Sequence, residues 1–459
     1  MNITGAPPKP ASRLGWLDVV RGIAAIAVVF QHLGFTMLVK PSAAVHRHFD
    51  LGIYGVMTFF LVSGYIVPAS LERRGDVREF WIGRLFRLYP LCILVYVTAV
   101  VFLGPFHAGG VGPAVYSQPL LSSLGNATML EDLLGSYNGL SVMWTLTYEM
   151  LFYYLVTALF VFGLQRRSAP IATGLGVAGL LLGPILPLGY LITRTGAMTL
   201  TVITLVVIAL GLTGLLSGRR LPTRAGAALL GGYALVLVFL NSRSTGWETL
   251  FILATMFSGT AIYRAEQRQI HRGWAALAVG TVLVCGVAAG ALYNTGASVN
   301  RTWTYGPMSW YLAFAAAWLT FGAGMLLRKR RMPAVLTWLG RISYSSYLIH
   351  VPLIAALWLV IAHFGRPHSL LQELPWFFAF FAILLTLSQL TYRYVELPMQ
   401  NLGRRVARSR RGPSSGDPGR LPVPRAAGDA DRVSGPDPVT PVPTSQSTNG
   451  MSAAGFGSP

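Results

Sequence analysis

Charge is scarce in this sequence, and acidic charge scarcer still: 16 Asp and Glu stand against 36 Lys and Arg in 459 residues, and charged side chains make up 11% of the total. A soluble domain normally carries about a quarter charged residues, so an ordinary water-facing globule is excluded. Cysteine occurs twice, as Cys92 and Cys285, each inside an apolar run, which leaves no disulfide framework and no cysteine metal site. No repeat of fixed period is present, and no glycine loop follows a strand to cradle phosphate. Whatever chemistry the chain performs must therefore reside among its apolar segments.

What is abundant is apolar surface: 53% of the residues are hydrophobic and the mean hydropathy is +0.54. Crossing about 30 Å of hydrocarbon takes about 20 helical residues. Stretches of that kind lie at 15–38, 51–71, 88–105, 142–163, 170–190, 197–217, 225–241, 247–264, 274–293, 307–327, 338–362 and 374–396. The expected fold is an all-α polytopic bundle of about 10–12 spans lying in a lipid bilayer, a multi-pass cell-membrane protein.

The net charge of +20 does not point to nucleic acid, because the basic residues fall in short clusters between the apolar runs, as cytoplasmic anchors do. With the N-terminus inside, the outer loops hold only Lys40, Arg47, Arg194, Arg243, Arg301 and Arg366. That asymmetry predicts an even number of crossings and both termini in the cytoplasm. The polar segment 1–13 precedes a first run too long for a signal-peptide core, so that run is expected to stay as a helix. Three regions follow: a cytoplasmic N-terminal segment (1–13), a transmembrane domain (14–402) and a disordered tail (403–459), basic at first and then rich in Pro, Gly and Ser. The Gly- and Pro-rich stretch 106–141 is expected to be a long outer loop able to fold over a site.

Ionisable side chains inside spans are costly and mark function by default. In WLDVVRGIAAIAVVFQHLG, Arg21 and His32 are eleven residues apart, close to three turns, so both project from one face with about 16 Å between them along the axis. Arg21 also has the plainer option of snorkelling and pairing with Asp18 at i, i−3. His32 has that of a hydrogen-bonded bundle histidine, but its proton affinity suits a general base for an alcohol. Glu149, in SVMWTLTYEMLFYYL, sits at the depth of His32, where a carboxylate either orients the imidazole or is itself protonated and silent.

Arg84 and Arg87, in LERRGDVREFWIGRLFRLYP, share one face of an expected interfacial helix. They are either phosphate ligands or positive-inside anchors. Ser63 in FFLVSGYIV and His350 in GRISYSSYLIHVPL are either helix-packing residues or lining of a substrate path, and Glu396 in YRYVELP is expected to pair with Arg393.

Taken in order, these stretches resemble the acyltransferase-3 family over residues 14–400: an Arg and a His with ten residues between them in the first helix, FFLVSGY, RLFR before YP, WTLTYE, GRISYSSYLIH and YRYVELP. The resemblance implies an integral membrane O-acyltransferase. Such an enzyme moves an acyl group, most commonly acetyl, from acyl-CoA to a hydroxyl of a sugar on a glycan, lipid or secondary metabolite. It implies His32 as catalytic base or acyl relay with Glu149 as partner, and Arg21, Arg84 and Arg87 near the CoA phosphates. Acyl-CoA enters as co-substrate, no metal and no permanently bound cofactor is implied, and the acceptor is a hydroxylated glycan or small molecule. Tyr148, where many members carry a smaller residue before the Glu, joins Ser63 and His350 as a candidate for the acceptor path. The arginine-rich composition, with abundant Gly and Pro, suits a bacterial inner membrane. A multi-span transporter or flippase is the competing reading: it accounts for the intramembrane charges but not for Arg84 and Arg87, and residues 14–220 show no likeness to 225–400 of the kind transporter halves have.

Overall fold

The computed structural model describes residues 15–33, 47–106, 111–136, 138–242, 245–296, 299, 302, 304–365 and 367–409. The expected N-terminal segment and nearly all of the expected tail lie outside them. The described residues form helices without a named strand, and ten of those helices are long and apolar enough to cross a membrane.

Five helices frame the site: α1 (Gly15–Leu33), α2 (Leu51–Arg74), α3 (Val77–Leu103), α5 (Trp144–Val161) and α13 (Ser343–Phe364). The other described α-helices of eight residues or more are α4 (Pro119–Thr128), α6 (Ser168–Leu181), α7 (Ala197–Leu216), α8 (Arg220–Leu240), α9 (Gly246–Glu266), α10 (Arg272–Tyr293), α11 (Pro307–Leu327), α12 (Ala334–Arg341), α14 (Leu370–Thr391) and α15 (Leu397–Ser409).

Two of the twelve expected spans differ from the rest. The run at 170–190 is not one helix, because α6 stops after 14 residues where Gly183 and Pro184 begin a short 3-10 turn. At 1.5 Å per residue it covers about 21 Å, short of the hydrocarbon core. The run at 247–264 does form a long helix, α9, but one buried on nearly every side by its neighbours. Glu248 and Arg264 are inside the protein rather than in lipid, so α9 needs less hydropathy than a lipid-facing span.

Helix α9 is the axis on which α2 and α6 pack, and two glycines permit the closest crossing. A Cβ on Gly64 would collide with the backbone carbonyl of Met256, and one on Gly259 would lie 2.5 Å from the Leu61 carbonyl oxygen. Thr260 Oγ1 donates to the Gly64 carbonyl at 2.9 Å across the same crossing. Glycine here exchanges conformational entropy for backbone proximity, as small residues do between membrane helices. One turn further along, Arg264 pairs with Glu72 at 2.6 Å and Arg328 of the loop after α11 with Glu266 at 2.8 Å.

The expected third span at 88–105 is longer at its start. Helix α3 begins at Val77, capped by Asp76, whose carboxylate accepts from the amides of Arg78 and Glu79. Gly75 closes α2 in the left-handed region (φ 63°), which lets the chain reverse in two residues. Arg84 and Arg87 therefore belong to a helix that enters the bundle, not to a separate interfacial one.

Within the stretch 106–141, the described residues 106, 111–136 and 138–141 are largely in short helices and turns. They include three short helices, 114–117, 119–128 and 131–134, and Asn126 ties them together by donating to the Ser122 carbonyl at 2.7 Å and accepting from the Gly139 amide at 2.9 Å. At the other end, α15 packs along α3, with Gly403 over Phe86. The helix runs to Ser409, so 403–409, expected as the start of a disordered tail, is ordered by that contact.

Candidate active site

The α2–α3 reversal sets Arg84 and Arg87 one turn apart on α3, facing α5. Arg84 is buried, with its guanidinium carbon 5.2 Å from the Phe80 ring centroid and 5.1 Å from that of Tyr153. The two rings, nearly perpendicular to each other with centroids 6.0 Å apart, form a corner in which the cation sits against both. The Tyr153 hydroxyl, 3.5 Å from Arg84 Nη1, donates to Glu149 Oε1. Tyr153 is four residues after Glu149, so both lie on one face of α5.

Arg21 of α1 joins this group, with Asp18, Arg87, Glu149 and Glu396 as its charged neighbours. Among the described residues no salt bridge closes between Arg21 and Asp18. Glu396 is buried and accepts from Ser345 Oγ instead of pairing with Arg393. Its helix locally widens into a π turn over 392–396, which turns the carboxylate inward; π turns often sit at functional sites.

Arg21, Arg84, Arg87 and Glu149 line one cavity of about 80 Å³ that is open to the outside. Ser63, Tyr344 and Tyr347 line it as well, between apolar walls that include Val56, Phe59 and Ile66. Three guanidiniums face one carboxylate, and that carboxylate is already engaged by Tyr153. The surplus is positive, so the cavity is electrostatically prepared for an anion of more than one charge. Its α2 lining runs from Val56 to Val67, eleven residues or about 16 Å of helix, with Arg84 and Arg87 toward the Val67 end.

At the other end stands Tyr347. Its hydroxyl is 2.9 Å from Thr145 Oγ1 and donates to the Val142 carbonyl at 3.2 Å, which fixes α13 to the start of α5. Its ring centroid is 5.8 Å from that of His350, and His350 Nε2 in turn lies 3.3 Å from His32 Nδ1. His350 is fully buried, whereas His32 is exposed.

The eight sequence candidates thus separate. Arg21, Ser63, Arg84, Arg87 and Glu149 meet in the cavity. His32 and His350 meet each other beyond Tyr347. Tyr148 joins neither group: it is fully buried on the far side of α5, 3.2 Å from Thr249 Oγ1 of α9 and edge-on to Phe60 and Trp144. The expected contact of His32 with Glu149 is also absent among the described residues, since each has another partner. Equal depth on two helices leaves the azimuth undetermined, and here the azimuth directs Glu149 to Tyr153. Tyr153 and Tyr347 were not singled out from the sequence. The i, i+4 step from Glu149 in YEMLFYY would have found the first, and the i, i−3 step from His350 pointed to the second.

Comparison with known proteins adds an independent line. The family described as an acyltransferase domain, Acyl_transf_3, matches residues 14–393. The chain is similar to a putative peptidoglycan O-acetyltransferase, YrhL, of Bacillus subtilis (strain 168), with 27% identity over 173 residues, 34% of this chain and 26% of that protein. It is 29% identical over 208 residues to the exopolysaccharide production protein ExoZ of Rhizobium meliloti (strain 1021), covering 44% of this chain and 64% of that one. It is 27% identical over 179 residues to the peptidoglycan O-acetyltransferase OatA of Listeria monocytogenes, covering 35% and 27%. The matches therefore span about a quarter of YrhL and OatA and just under two thirds of ExoZ. No solved structure matches the chain.

Proposed function

The chain belongs to the acyltransferase-3 family, and from that premise we propose that it is a membrane O-acyltransferase that moves an acetyl group from acetyl-CoA to a hydroxyl of a cell-surface polysaccharide. The observation that carries this reading is a cavity with three arginines at one end and Tyr347 at the other, with a histidine pair behind Tyr347. A donor that is a polyanion at one end and a thioester at the other matches such an arrangement. The names of the relatives, two of them peptidoglycan O-acetyltransferases and one an exopolysaccharide production protein, support a polysaccharide acceptor.

The basic clusters support an orientation with the arginine end toward the cytoplasm, where acyl-CoA is made available, and both termini on that side. Arg84 and Arg87 hold the pyrophosphate through charge-assisted hydrogen bonds, with Arg21 below them. The apolar lining at Val56, Phe59 and Ile66 takes the pantetheine arm.

His32 acts as the general base. Its Nδ1 is 3.0 Å from the Val28 carbonyl oxygen, and a carbonyl only accepts, so Nδ1 carries the proton and Nε2 the lone pair. Nε2 takes the proton of the acceptor hydroxyl as its oxygen attacks the thioester carbonyl. The new C–O bond forms, the C–S bond breaks, and the departing thiolate recovers the proton from the His32 imidazolium. Glu149 keeps Tyr153 and, through it, Arg84 in place rather than touching His32. The test is to supply membranes containing the protein with acetyl-CoA and O-deacetylated polysaccharide: free CoA thiol and ester-linked acetate should appear in equal amounts. Thiol release without ester would overturn the acceptor class.

A further inference from the structure

We propose that His350 is a positioning residue for His32: an uncharged histidine that takes the part usually given to a carboxylate beside a catalytic imidazole. The inference rests on His32 acting as the base. It begins from hydrogen-bond geometry. His350 Nδ1 is 3.1 Å from the Ser346 carbonyl oxygen, which makes Nδ1 the protonated nitrogen and leaves the lone pair on Nε2. That lone pair faces His32 Nδ1 at 3.3 Å, and His32 Nδ1 already carries its proton toward the Val28 carbonyl at 3.0 Å. The Nδ1 proton is therefore shared between a carbonyl oxygen and an imidazole nitrogen, and both acceptors favour the same tautomer. His32 Nε2 is the atom left to meet a substrate.

The arrangement has a consequence for charge. When His32 takes a proton, its Nδ1–H becomes a stronger donor, and both acceptors are already aimed at it without reorganisation. A carboxylate in that place would stabilise the imidazolium more strongly and would carry a full charge into the bundle, at a high desolvation cost. The neutral histidine orients the base and supports its charge only while that charge exists. His350 is itself held rigidly: it is 0% exposed, its Nδ1 is fixed by its own helix, and Tyr347, 5.8 Å away by ring centroid, is pinned through Thr145 and Val142. On its other side α1 is kept in register with α2 through Gln31, which donates to Asp50 at 3.3 Å and accepts from the Leu51 amide at 3.1 Å.

Glutamine and asparagine separate this role from packing. The amide oxygen of a glutamine can reach the place of Nε2 and accept from His32, whereas that of an asparagine stops near the place of Nδ1. In membranes, acetyl transfer is measured for wild type, His32→Ala, His350→Gln, His350→Asn and His350→Leu, with kcat and the KM for acetyl-CoA resolved. Membrane accumulation is measured alongside. The proposal expects kcat to fall roughly 10²-fold in His350→Leu and His350→Asn with KM unchanged, and His350→Gln to recover most of it. The proposal is overturned if Gln and Asn perform alike, if Leu keeps wild-type kcat, or if the loss lies in KM. Where Leu does not accumulate, the Gln and Asn pair alone decides. His32→Ala separates the two claims: activity in that variant removes the base itself, while an inactive His32→Ala beside fully active His350 variants removes only the role of His350.

Discussion

The Tyr153 hydroxyl stands between Glu149, to which it donates, and Arg84, whose Nη1 lies 3.5 Å away, so one tyrosine joins the only carboxylate among the cavity-lining residues to its most buried cation. Replacing Tyr153 with Phe leaves Glu149 without that donor and lets the Arg84 guanidinium swing from its place. The expected result is a several-fold rise in the KM for acetyl-CoA, with membrane accumulation preserved because the ring still packs on Phe80 and Trp81. A steady-state titration of acetyl-CoA in membranes checks it.

Arg84 and Arg87 carry donor affinity in this account. A hydrogen bond to a charged group contributes about 1.5–3 kcal/mol, so Arg87→Ala should raise the KM for acetyl-CoA by about 10- to 100-fold at nearly constant kcat. Arg84→Lys should not preserve this function, because an ammonium reproduces neither the contact of the guanidinium with the Phe80 and Tyr153 rings nor a two-pronged grip on phosphate. Arg84→Lys with unchanged KM would contradict the assignment.

Gly64 and Ser63 are neighbours with opposite expectations. A β-branched residue at position 64 has no room beside the Met256 carbonyl, so Gly64→Val should remove the protein from the membrane fraction. Ser63→Ala, which faces the cavity, should accumulate normally. Immunoblots of membrane fractions distinguish the two.

Tyr148 was a candidate for the acceptor path from its place before Glu149, yet it faces α9. Tyr148→Phe removes a hydrogen bond to Thr249 worth about 0.5–1.5 kcal/mol, so it should lower the thermal unfolding temperature slightly and leave kcat and both KM values unchanged. A change in acceptor preference would contradict the placement.

These contrasts trace what the residue pattern can carry. Span positions were legible because hydropathy is a local property, and so was the shared face of Arg84 and Arg87, because i, i+3 geometry is intrinsic to a helix. The short α6 was readable in principle from Gly183 and Pro184, which interrupt an otherwise apolar run. Helix α9 was legible as a helix but not as the one buried by all its neighbours, since burial by protein and by lipid select similar side chains. The partners of His32 and Glu149 were beyond local pattern: His32 and His350 are 318 positions apart, and only the rotation of α1 and α13 about their axes brings them together. The same holds for Glu396, whose inward turn depends on the π segment at 392–396.

The most direct test of the central claim is transfer of radiolabelled acetyl from acetyl-CoA to polysaccharide in membranes containing wild type or His32→Ala. A positioned general base contributes about 10²- to 10⁴-fold, so the account predicts label in ester linkage with wild type and a loss of at least 100-fold in the variant at equal membrane accumulation. Equal incorporation by the two would contradict it.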